Sequence, residues 1–290
     1  MSLLEAIFLG FIQGVAEFLP ISSSGHLAIF EKLFGMEEAG MAFDVFLHVG
    51  TLIAVLLVYW RDVVRLFVEG VGIVVDACVN VYAFIKSIKT KERPVYRRII
   101  RSAYRKFAML VIVSTIPTGI IGMLGEELVD KSSDTLIVPG ICLLITAVLL
   151  FMSDLIPDGT KTPKKTTYAN AVFMGVCQGI ATLPGLSRSG TTITSALLCG
   201  LRRDFAVKYS FIMSIPAIIG AAIVKVPAMQ KDIATTSAVY YVVGIIVSAV
   251  VGFICIKTML VIVRNKKFKY FAYYCAVIGL IAIIASFFVK

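Results

Sequence analysis

Charged residues are scarce in this 290-residue chain: they make up 16% of it, whereas hydrophobic residues make up 59%. A soluble domain is nearer half apolar and a quarter charged. Several apolar runs reach the roughly 20 residues that a helix needs to cross a bilayer, and they are continuous, unlike the alternating strands of a membrane β-barrel. The sequence therefore excludes a soluble domain and predicts an all-α polytopic membrane protein.

The chain also lacks paired cysteines. Its six cysteines show no Cys-x-x-Cys spacing and lie in apolar surroundings, so they predict neither a metal site nor a disulfide framework. The net charge of +10 does not indicate a nucleic-acid partner, because the cytoplasmic loops of membrane proteins collect Lys and Arg. We expect no nucleic acid among its partners.

Apolar length predicts six full crossings, at about 43–60, 107–128, 136–153, 207–226, 238–263 and 270–288. The stretch 62–106 is not counted, because acidic residues interrupt its first half and its second half is strongly basic. We interpret it as a basic cytoplasmic insert, a helix extension and loop that can lie on an anionic lipid surface.

Two further apolar segments, 3–34 and 168–200, are broken by Pro20 and Pro184 and by Ser/Gly-rich turns. Each is predicted to enter the membrane and turn back as a re-entrant helix-loop-helix hairpin, since non-helical backbone at that depth is tolerated where it lines a cavity. The basic loops then share one side, which the positive-inside rule makes cytoplasmic. We expect a multi-pass protein of the cell (plasma) membrane, in contact with membrane lipids.

The two hairpins carry an internal repeat. Residues 10–25, GFIQGVAEFLPISSSG, align without a gap with residues 175–190, GVCQGIATLPGLSRSG, and are identical at seven of sixteen positions. Three predicted crossings follow each hairpin, and an odd number inverts the next unit. The sequence thus predicts inverted-topology repeats, 1–153 and 154–290, whose hairpin tips meet near the midplane, where such proteins place their sites.

The first tip carries an unusual set of polar residues. Gln13 and Glu17 share a helix face, and a carboxylate inside a membrane costs about 2.5–3.5 kcal/mol, which makes Glu17 a functional candidate. The alternative is a protonated or hydrogen-bonded packing residue. A Ser/Gly turn then leads into a short helix beginning near His26, and free N–H groups at a helix start bind anions. This turn consists of Ser22, Ser23, Ser24 and Gly25.

Ordinary N-capping explains one of these serines and leaves His26 unexplained. The other histidine, His48, lies within an apolar crossing and is interpreted as structural.

The second tip, PGLSRSGTT, adds Arg188, whose planar guanidinium suits phosphate oxygens. Arg188 can form a structural ion pair with Glu17 or bind an exogenous phosphate, and the surrounding hydroxyls favour the phosphate. The neighbouring candidates for substrate binding are Ser187, Ser189, Gly190, Thr191 and Thr192. A phosphate beside Glu17 requires either a bridging divalent cation or a raised carboxyl pKa with general acid–base work; the sequence leaves both open.

These motifs closely resemble the two signatures of the undecaprenyl-diphosphatase family, the bacitracin-resistance membrane phosphatases. Gln13 and Glu17 match its Glu/Gln-x-x-x-Glu motif, and residues 184–192 match Pro-Gly-x-Ser-Arg-Ser-x-x-Thr. The resemblance runs over the whole chain. It implies hydrolysis of undecaprenyl diphosphate to undecaprenyl phosphate and inorganic phosphate, which recycles the lipid carrier for cell-wall synthesis and confers bacitracin resistance.

The resemblance also implies a divalent cation, Mg²⁺ or Ca²⁺, a homodimer, and a site that faces the extracytoplasmic side. It assigns catalytic roles to Glu17, Ser23, His26 and Arg188, with Gln13, Ser187 and Thr192 in support and Glu17 as the metal ligand. Because position 13 is Gln, more of the metal or acid–base work rests on Glu17. The nucleophile is Ser23 or His26, acting directly or through an activated water.

Two other functions share parts of this pattern. A second superfamily of membrane lipid phosphatases needs a histidine downstream of its Ser-Arg pair, and this chain has none after His48. A polyprenyl-phosphate flippase or anion transporter would also use inverted repeats and broken helices, with Arg188 and the serines for binding alone. Phosphate release from detergent-solubilised protein separates an enzyme from a transporter.

Overall fold

The computed structural model describes residues 1–34, 40–133, 135–235 and 237–288. Within these ranges the chain is helical, and its only β-type pairing is one isolated bridge between Lys161 and Leu201. The predicted all-α fold is confirmed. The helices are α1 (Leu3–Phe18), α2 (Ser23–Phe34), α3 (Gly40–Val58), α4 (Trp60–Thr90), α5 (Ala103–Leu124), α6 (Glu126–Ser133), α7 (Ile137–Leu155), α8 (Tyr168–Ile180), α9 (Arg188–Leu198), α10 (Arg203–Thr235), α11 (Ala238–Arg264) and α12 (Lys269–Ala285).

Six helices of the described ranges are long and apolar enough to cross a membrane: α3, α4, α5, α7, α10 over Arg203–Pro227, and α11. Five of them coincide with predicted crossings, and the sixth prediction, 270–288, falls on the shorter α12. By the same criteria of length and composition α4 qualifies as a crossing, whereas the charges of 62–106 in the sequence predict a cytoplasmic insert.

The acidic residues of α4 have partners on the following segment. The buried Arg105 of α5 places Nε 2.8 Å from Glu69 Oε2, and its Nη1 is hydrogen-bonded to Asp76. Arg101 Nη2 lies 2.8 Å from the same Asp76 carboxylate. Ion pairing lowers the cost of holding a carboxylate away from water. Because Glu69 and Asp76 are paired, the acidic residues of α4 do not exclude a position in the membrane.

Replacing Arg105 with Met is expected to loosen the segment 91–102. The change leaves Glu69 and Asp76 without their shared buried partner. The segment is then linked to α4 by side chains that are mostly exposed: Arg97 and Arg101 with Asp76, Ser102 with Glu69, and the Asn80 amide with the Arg97 backbone. We expect a lower Tm and faster protease cleavage within 91–102. The control is Arg93→Met, which removes an exposed charge from the same segment; equal behaviour of the two variants would contradict the assignment.

The helices of the two predicted hairpins are short. They contain 16, 12, 13 and 11 residues for α1, α2, α8 and α9, or about 16–24 Å at 1.5 Å per residue, less than the roughly 30 Å hydrocarbon core. Phe8 of α1 packs edge-on against Phe30 of α2, with ring centroids 5.3 Å apart. The start of α1 and the second half of α2 thus lie side by side, as a re-entrant hairpin requires.

Repeat-related glycines pack each hairpin against the opposite half of the chain. A Cβ on Gly14 of α1 would lie 2.8 Å from Val251 Cβ of α11, and one on Gly179 of α8 would lie 2.7 Å from Ile121 Cβ of α5. Small residues at such positions let helices approach closely. Because Phe18 reaches Gly252, near the middle of α11, α1 ends about halfway along that helix.

The basic loops converge on one end of the bundle, which we name the basic end (residues 59–62, 103–106, 158–168, 200–208 and 264–269). Arg203 Nε lies 2.6 Å from Asp158 Oδ1, and Lys266 Nζ lies 3.4 Å from the same oxygen. Lys208 Nζ is 2.9 Å from Asp62 Oδ2. The hydrogen bond from Arg203, aided by Lys266, holds the pKa of Asp158 below its usual value, so this junction stays charged.

Candidate active site

The tips of the two hairpins touch through their backbones. A Cβ on Gly25 would lie 2.7 Å from Gly185 Cα, and Gly185 itself has φ +89°, a conformation that glycine adopts without strain. Ser22 also has a positive φ, +69°, which costs a non-glycine residue of the order of 1–3 kcal/mol. Such strain persists only where the surroundings hold it, and here the Ser22 carbonyl accepts a hydrogen bond from His26 Nδ1 at 2.8 Å.

Both turns contain the same internal hydrogen bonds at repeat-related positions. The Gly25 N–H donates to Ser22 Oγ at 3.2 Å, and the Gly190 N–H donates to Ser187 Oγ at 3.1 Å. Ser22 therefore has the capping role that was the alternative for a serine of the first turn, and Ser187 has the same role in the second turn. A second serine lies 3.4 Å from each capping hydroxyl: Ser24 beside Ser22 and Ser189 beside Ser187.

An ion pair joins the two tips. Arg188 Nη2 donates to Glu17 Oε1, so the carboxylate of one repeat and the guanidinium of the other form one unit. Glu17 is buried, whereas 23% of the Arg188 side chain is exposed. The ion pair considered in the sequence analysis is present. It leaves the other nitrogens of the guanidinium without a partner among the described residues, and they can bind the oxygens of a ligand.

The second oxygen of Glu17 faces a serine. Ser23 Oγ donates to Glu17 Oε2 at 2.6 Å, and Gln13 Nε2 donates to the same oxygen at 3.3 Å. A hydroxyl hydrogen-bonded to a carboxylate is the arrangement of a nucleophile beside its general base. Arg188 on the opposite oxygen fixes the orientation of that carboxylate. Four candidates predicted from the sequence thus lie in one cluster: Gln13, Glu17, Ser23 and Arg188.

Both ring nitrogens of His26 are hydrogen-bonded. Nδ1 lies 2.8 Å from the Ser22 carbonyl oxygen and therefore carries a proton, since a carbonyl only accepts. In the neutral ring Nε2 then accepts from the Tyr274 hydroxyl, 2.7 Å away, and the two rings stack with centroids 5.5 Å apart. Of the two candidate nucleophiles, Ser23 contacts the base Glu17, whereas His26 is held between the turn and α12.

The threonines of the second tip lie deeper. Thr192 Oγ1 donates to the Arg188 carbonyl at 2.8 Å and lies 2.5 Å from Ser210 Oγ of α10. It therefore ties the first turn of α9 to a neighbouring helix. Thr191 Oγ1 is buried and has no hydrogen-bond partner among the described residues.

Two residues near the site were not among the sequence candidates. His48, interpreted from the sequence as structural, places Nε2 3.9 Å from Glu17 Oε2, so its ring faces the candidate base. Tyr274 had no signal at all, because it is one of three tyrosines in an otherwise apolar helix. The only hint for His48 was its rarity, as one of two histidines in the chain.

The polar groups at the first tip fit a hard cation whose other ligands come from water and phosphate. Within the described ranges no three His, Cys, Asp or Glu side chains converge as a complete metal cage. Glu17 offers a carboxylate, which the amide nitrogen of Gln13 contacts, and the buried amide oxygen of Gln13, Oε1, has no hydrogen-bond partner among the described residues. Mg²⁺ and Ca²⁺ take carboxylate and amide oxygens, and Mg²⁺ usually keeps several waters.

Replacing Gly25 with Ala is expected to separate the two tips. Its Cβ would lie 2.7 Å from Gly185 backbone, so one turn must shift, and a displacement of about 1 Å at a reacting group costs about 10²-fold in rate. We expect kcat for phosphate release to fall about 10²-fold, while the helical content measured by circular dichroism stays unchanged. Gly119→Ala is the matched control, because its Cβ would meet no atom within 4 Å. Full activity in Gly25→Ala would show that tip contact is unimportant.

Replacing Tyr274 with Phe is expected to lower kcat about fivefold, because one hydrogen bond to His26 is lost while the stacked ring stays. The control is Tyr273→Phe, which alters an exposed neighbour on the same helix. Steady-state kinetics of both variants check the effect, and identical kcat values would contradict a role for Tyr274 in holding His26.

Comparison with known proteins gives full-length matches. The family model described as "Bacitracin resistance protein BacA" matches residues 6–281. An "Undecaprenyl-diphosphatase" of Methanosphaera stadtmanae is 41% identical over 288 residues, covering 99% of both chains. A protein with the same name from Halothermothrix orenii is 38% identical over 287 residues, again covering 99% of both chains. With the motifs at both hairpin tips and matches of this length, the chain belongs to the bacitracin resistance protein BacA family.

Proposed function

We propose that this chain is an integral membrane phosphatase that hydrolyses undecaprenyl diphosphate to undecaprenyl phosphate and inorganic phosphate. The observation that carries the proposal is the Ser23 hydroxyl 2.6 Å from Glu17, whose other oxygen is paired with Arg188 of the opposite hairpin. This set holds a nucleophile, its base and a phosphate-binding cation together. Full-length relatives named undecaprenyl-diphosphatase support the same activity. The reaction recycles the lipid carrier for cell-wall synthesis and thereby confers bacitracin resistance.

In the first step Ser23 Oγ attacks the terminal phosphorus of the diphosphate. Its proton passes to Glu17 Oε2, and the bond between that phosphorus and the bridging oxygen breaks. Undecaprenyl phosphate leaves with the proton from Glu17, and the terminal phosphoryl group remains on Ser23. Arg188 turns from Glu17 to the phosphoryl oxygens, where its fixed charge stabilises the negative charge of the transition state.

In the second step water restores the enzyme. Glu17, again a carboxylate, takes a proton from a water molecule that attacks the phosphoserine. The bond between Ser23 Oγ and phosphorus breaks, the proton returns to Ser23, and inorganic phosphate is released. His26 holds the turn that carries Ser23 through its bonds to the Ser22 carbonyl and Tyr274.

A divalent cation, Mg²⁺ or Ca²⁺, fits this site as a proposed cofactor. Glu17 and the amide oxygen of Gln13 would hold it, and the unpartnered Gln13 Oε1 is the support for that assignment. When bound, the ion supplies positive charge that offsets the charge of the diphosphate beside Glu17.

The proposed location is the plasma membrane, with the basic end in the cytoplasm and the site reached from the extracytoplasmic side. The support is the positive-inside rule together with the clustering of Lys and Arg at the basic end. We also propose a homodimer, for which the family resemblance is the support; light scattering in detergent, corrected for the micelle, measures it.

Phosphate release from undecaprenyl diphosphate by the purified, detergent-solubilised chain tests the proposed activity. We expect release without a sealed membrane and its loss in chelator, restored by added Mg²⁺ or Ca²⁺. Movement of polyprenyl phosphate across proteoliposomes, without phosphate release in detergent, would contradict the proposal and favour a transporter. Phosphate release that is insensitive to chelator would contradict the proposed cation cofactor but not the phosphatase activity.

A further inference from the structure

A pair of adjoining cavities lies at the basic end. They have volumes of about 360 and 260 Å³ and share Arg202, Asp204 and Arg264 in their walls. The first is also lined by Tyr59 and Lys208, and the second by Arg203, among others. Each cavity is therefore a place where several cations meet at the junction of helices.

The charges in these walls leave a cation in excess. Three cationic side chains face two carboxylates in each cavity. The carboxylates are already paired: Asp62 with Lys208 and Asp204 with Arg202, and Asp158 with Arg203 and Lys266. Arg264, common to both cavities, is near enough to Asp204 to interact with its charge, but it forms no ion pair or hydrogen bond in the part of the chain that the structure describes. An anion in the cavity would have this guanidinium available.

Two buried donors in the same walls lack acceptors. The Tyr59 side chain is 6% exposed and Arg203 is 7% exposed, and neither Tyr59 Oη nor Arg203 Nη1 has a hydrogen-bond partner among the described residues. Buried polar atoms are almost always hydrogen-bonded, so each such atom needs an explanation. A ligand with acceptor oxygens supplies a partner for Tyr59 from the first cavity and for Arg203 from the second.

Part of the wall of the first cavity is apolar. Phe107, Phe205 and Leu260 line the first cavity beside its cations. A pocket lined by both cationic and apolar side chains, between helices at the basic end of a membrane protein, matches the phosphate of an anionic lipid and the start of its glycerol and acyl chains.

The cavity is separate from the active site. The Phe18 ring, adjacent in sequence to Glu17, packs edge-on against Phe211 at 5.4 Å, and Phe211 in turn lies 6.4 Å from the Tyr59 ring. Both phenylalanines are buried. None of Glu17, Ser23, His26 and Arg188 lines either cavity, so an anion held by Arg264 does not contact the catalytic groups.

We propose that the paired cavities are a second phosphate-binding site, distinct from the catalytic one. Arg264, common to both cavities, supplies a positive charge outside any ion pair, and Tyr59 in the first cavity and Arg203 in the second supply hydrogen-bond donors to phosphate oxygens. The ligand is a phosphate group, carried by an anionic lipid headgroup or as free inorganic phosphate, and the two sources share this chemistry. The inference goes beyond the proposed phosphatase activity and does not depend on it.

The test measures binding to the purified full-length chain in a non-ionic detergent. The probes are a fluorescent short-chain phosphatidylglycerol, the matching phosphatidylcholine, and inorganic phosphate. We expect Arg264→Gln to raise the Kd of the anionic probe about tenfold, because one charge-assisted contact is lost. Lys267→Gln is the matched control, since it removes an exposed charge of the same end that does not line either cavity. Tyr59→Phe, which removes only the hydroxyl, is expected to have a smaller effect in the same direction.

The outcomes separate the ligand sources. If Arg264→Gln selectively weakens the binding of phosphatidylglycerol, the ligand is a lipid headgroup. If it selectively weakens the binding of inorganic phosphate, the ligand is the free ion. Equal weakening by Arg264→Gln and Lys267→Gln, or no preference of the native chain for an anionic probe, overturns the proposal. Unchanged Tm and phosphate release in Arg264→Gln show that the fold and the catalytic site are intact, so failure of this proposal is distinguishable from failure of the proposed function.

Discussion

Replacing Glu17 with Gln is expected to lower kcat for phosphate release by about 10²–10⁴-fold, the range that a general base contributes. The amide keeps the shape of the side chain, but it cannot take the proton of Ser23, which lies 2.6 Å from Glu17 Oε2 in the native chain. It also removes the negative charge that orients Arg188. Initial rates of phosphate release at saturating substrate measure the effect.

The control for this variant is Glu5→Gln on the same helix. Glu5 accepts a hydrogen bond from the Ser2 backbone in a capping box, which glutamine also supports. Glu5→Gln should retain native kcat. A Glu17→Gln variant with native turnover would show that Glu17 is a packing residue, the alternative that the sequence analysis left open.

Replacing Arg188 with Lys is expected to lower kcat/KM about a hundredfold, as removal of one preorganised transition-state donor does. Lysine keeps the positive charge and can still neutralise Glu17, but it lacks the planar fork that holds two phosphate oxygens at once. The loss then reports phosphate recognition rather than loss of charge. Arg188→Ala is a poorer test, because it leaves the buried Glu17 carboxylate without its partner and is strongly destabilising.

Arg98→Lys, a change at an exposed position outside both hairpins, serves as the control and should leave kcat/KM unchanged. Native kcat/KM in Arg188→Lys would mean that the guanidinium only balances the charge of Glu17. That result would support a purely structural ion pair between the tips.

The meeting of the two hairpin tips could be predicted because the same motif occurs in both halves of the sequence. The same spacing of Gly, Gln and Ser residues in 10–25 and 175–190 indicates two similar turns, and the three crossings predicted between them from the sequence make the turns approach from opposite sides. The structure shows the contact directly between Gly25 and Gly185, and equivalent capping bonds at Ser22 and Ser187. The conformation of such a turn is set by residues close together in the sequence, so it can be predicted from a local motif.

The neighbours supplied by distant helices could not be predicted in this way. Tyr274 lies 248 residues from His26, and nothing in the composition of α12 distinguishes it from an ordinary aromatic residue. His48 faces Glu17 only because α3 packs beside α1, which no local pattern specifies. The interpretation of 62–106 from its charges had the same weakness, since Arg105 pairs with Glu69 and Asp76 across two helices.

The central claim is that Glu17, Ser23 and Arg188 act as one unit in which Ser23 becomes phosphorylated. Undecaprenyl diphosphate labelled in its terminal phosphate, mixed with purified enzyme and quenched in acid within one turnover, tests it most directly. We predict label on the peptide that contains Ser23 in the native chain and none in Ser23→Ala. Labelled phosphate released by the native chain, with no label on Ser23 at any quench time, would contradict the account.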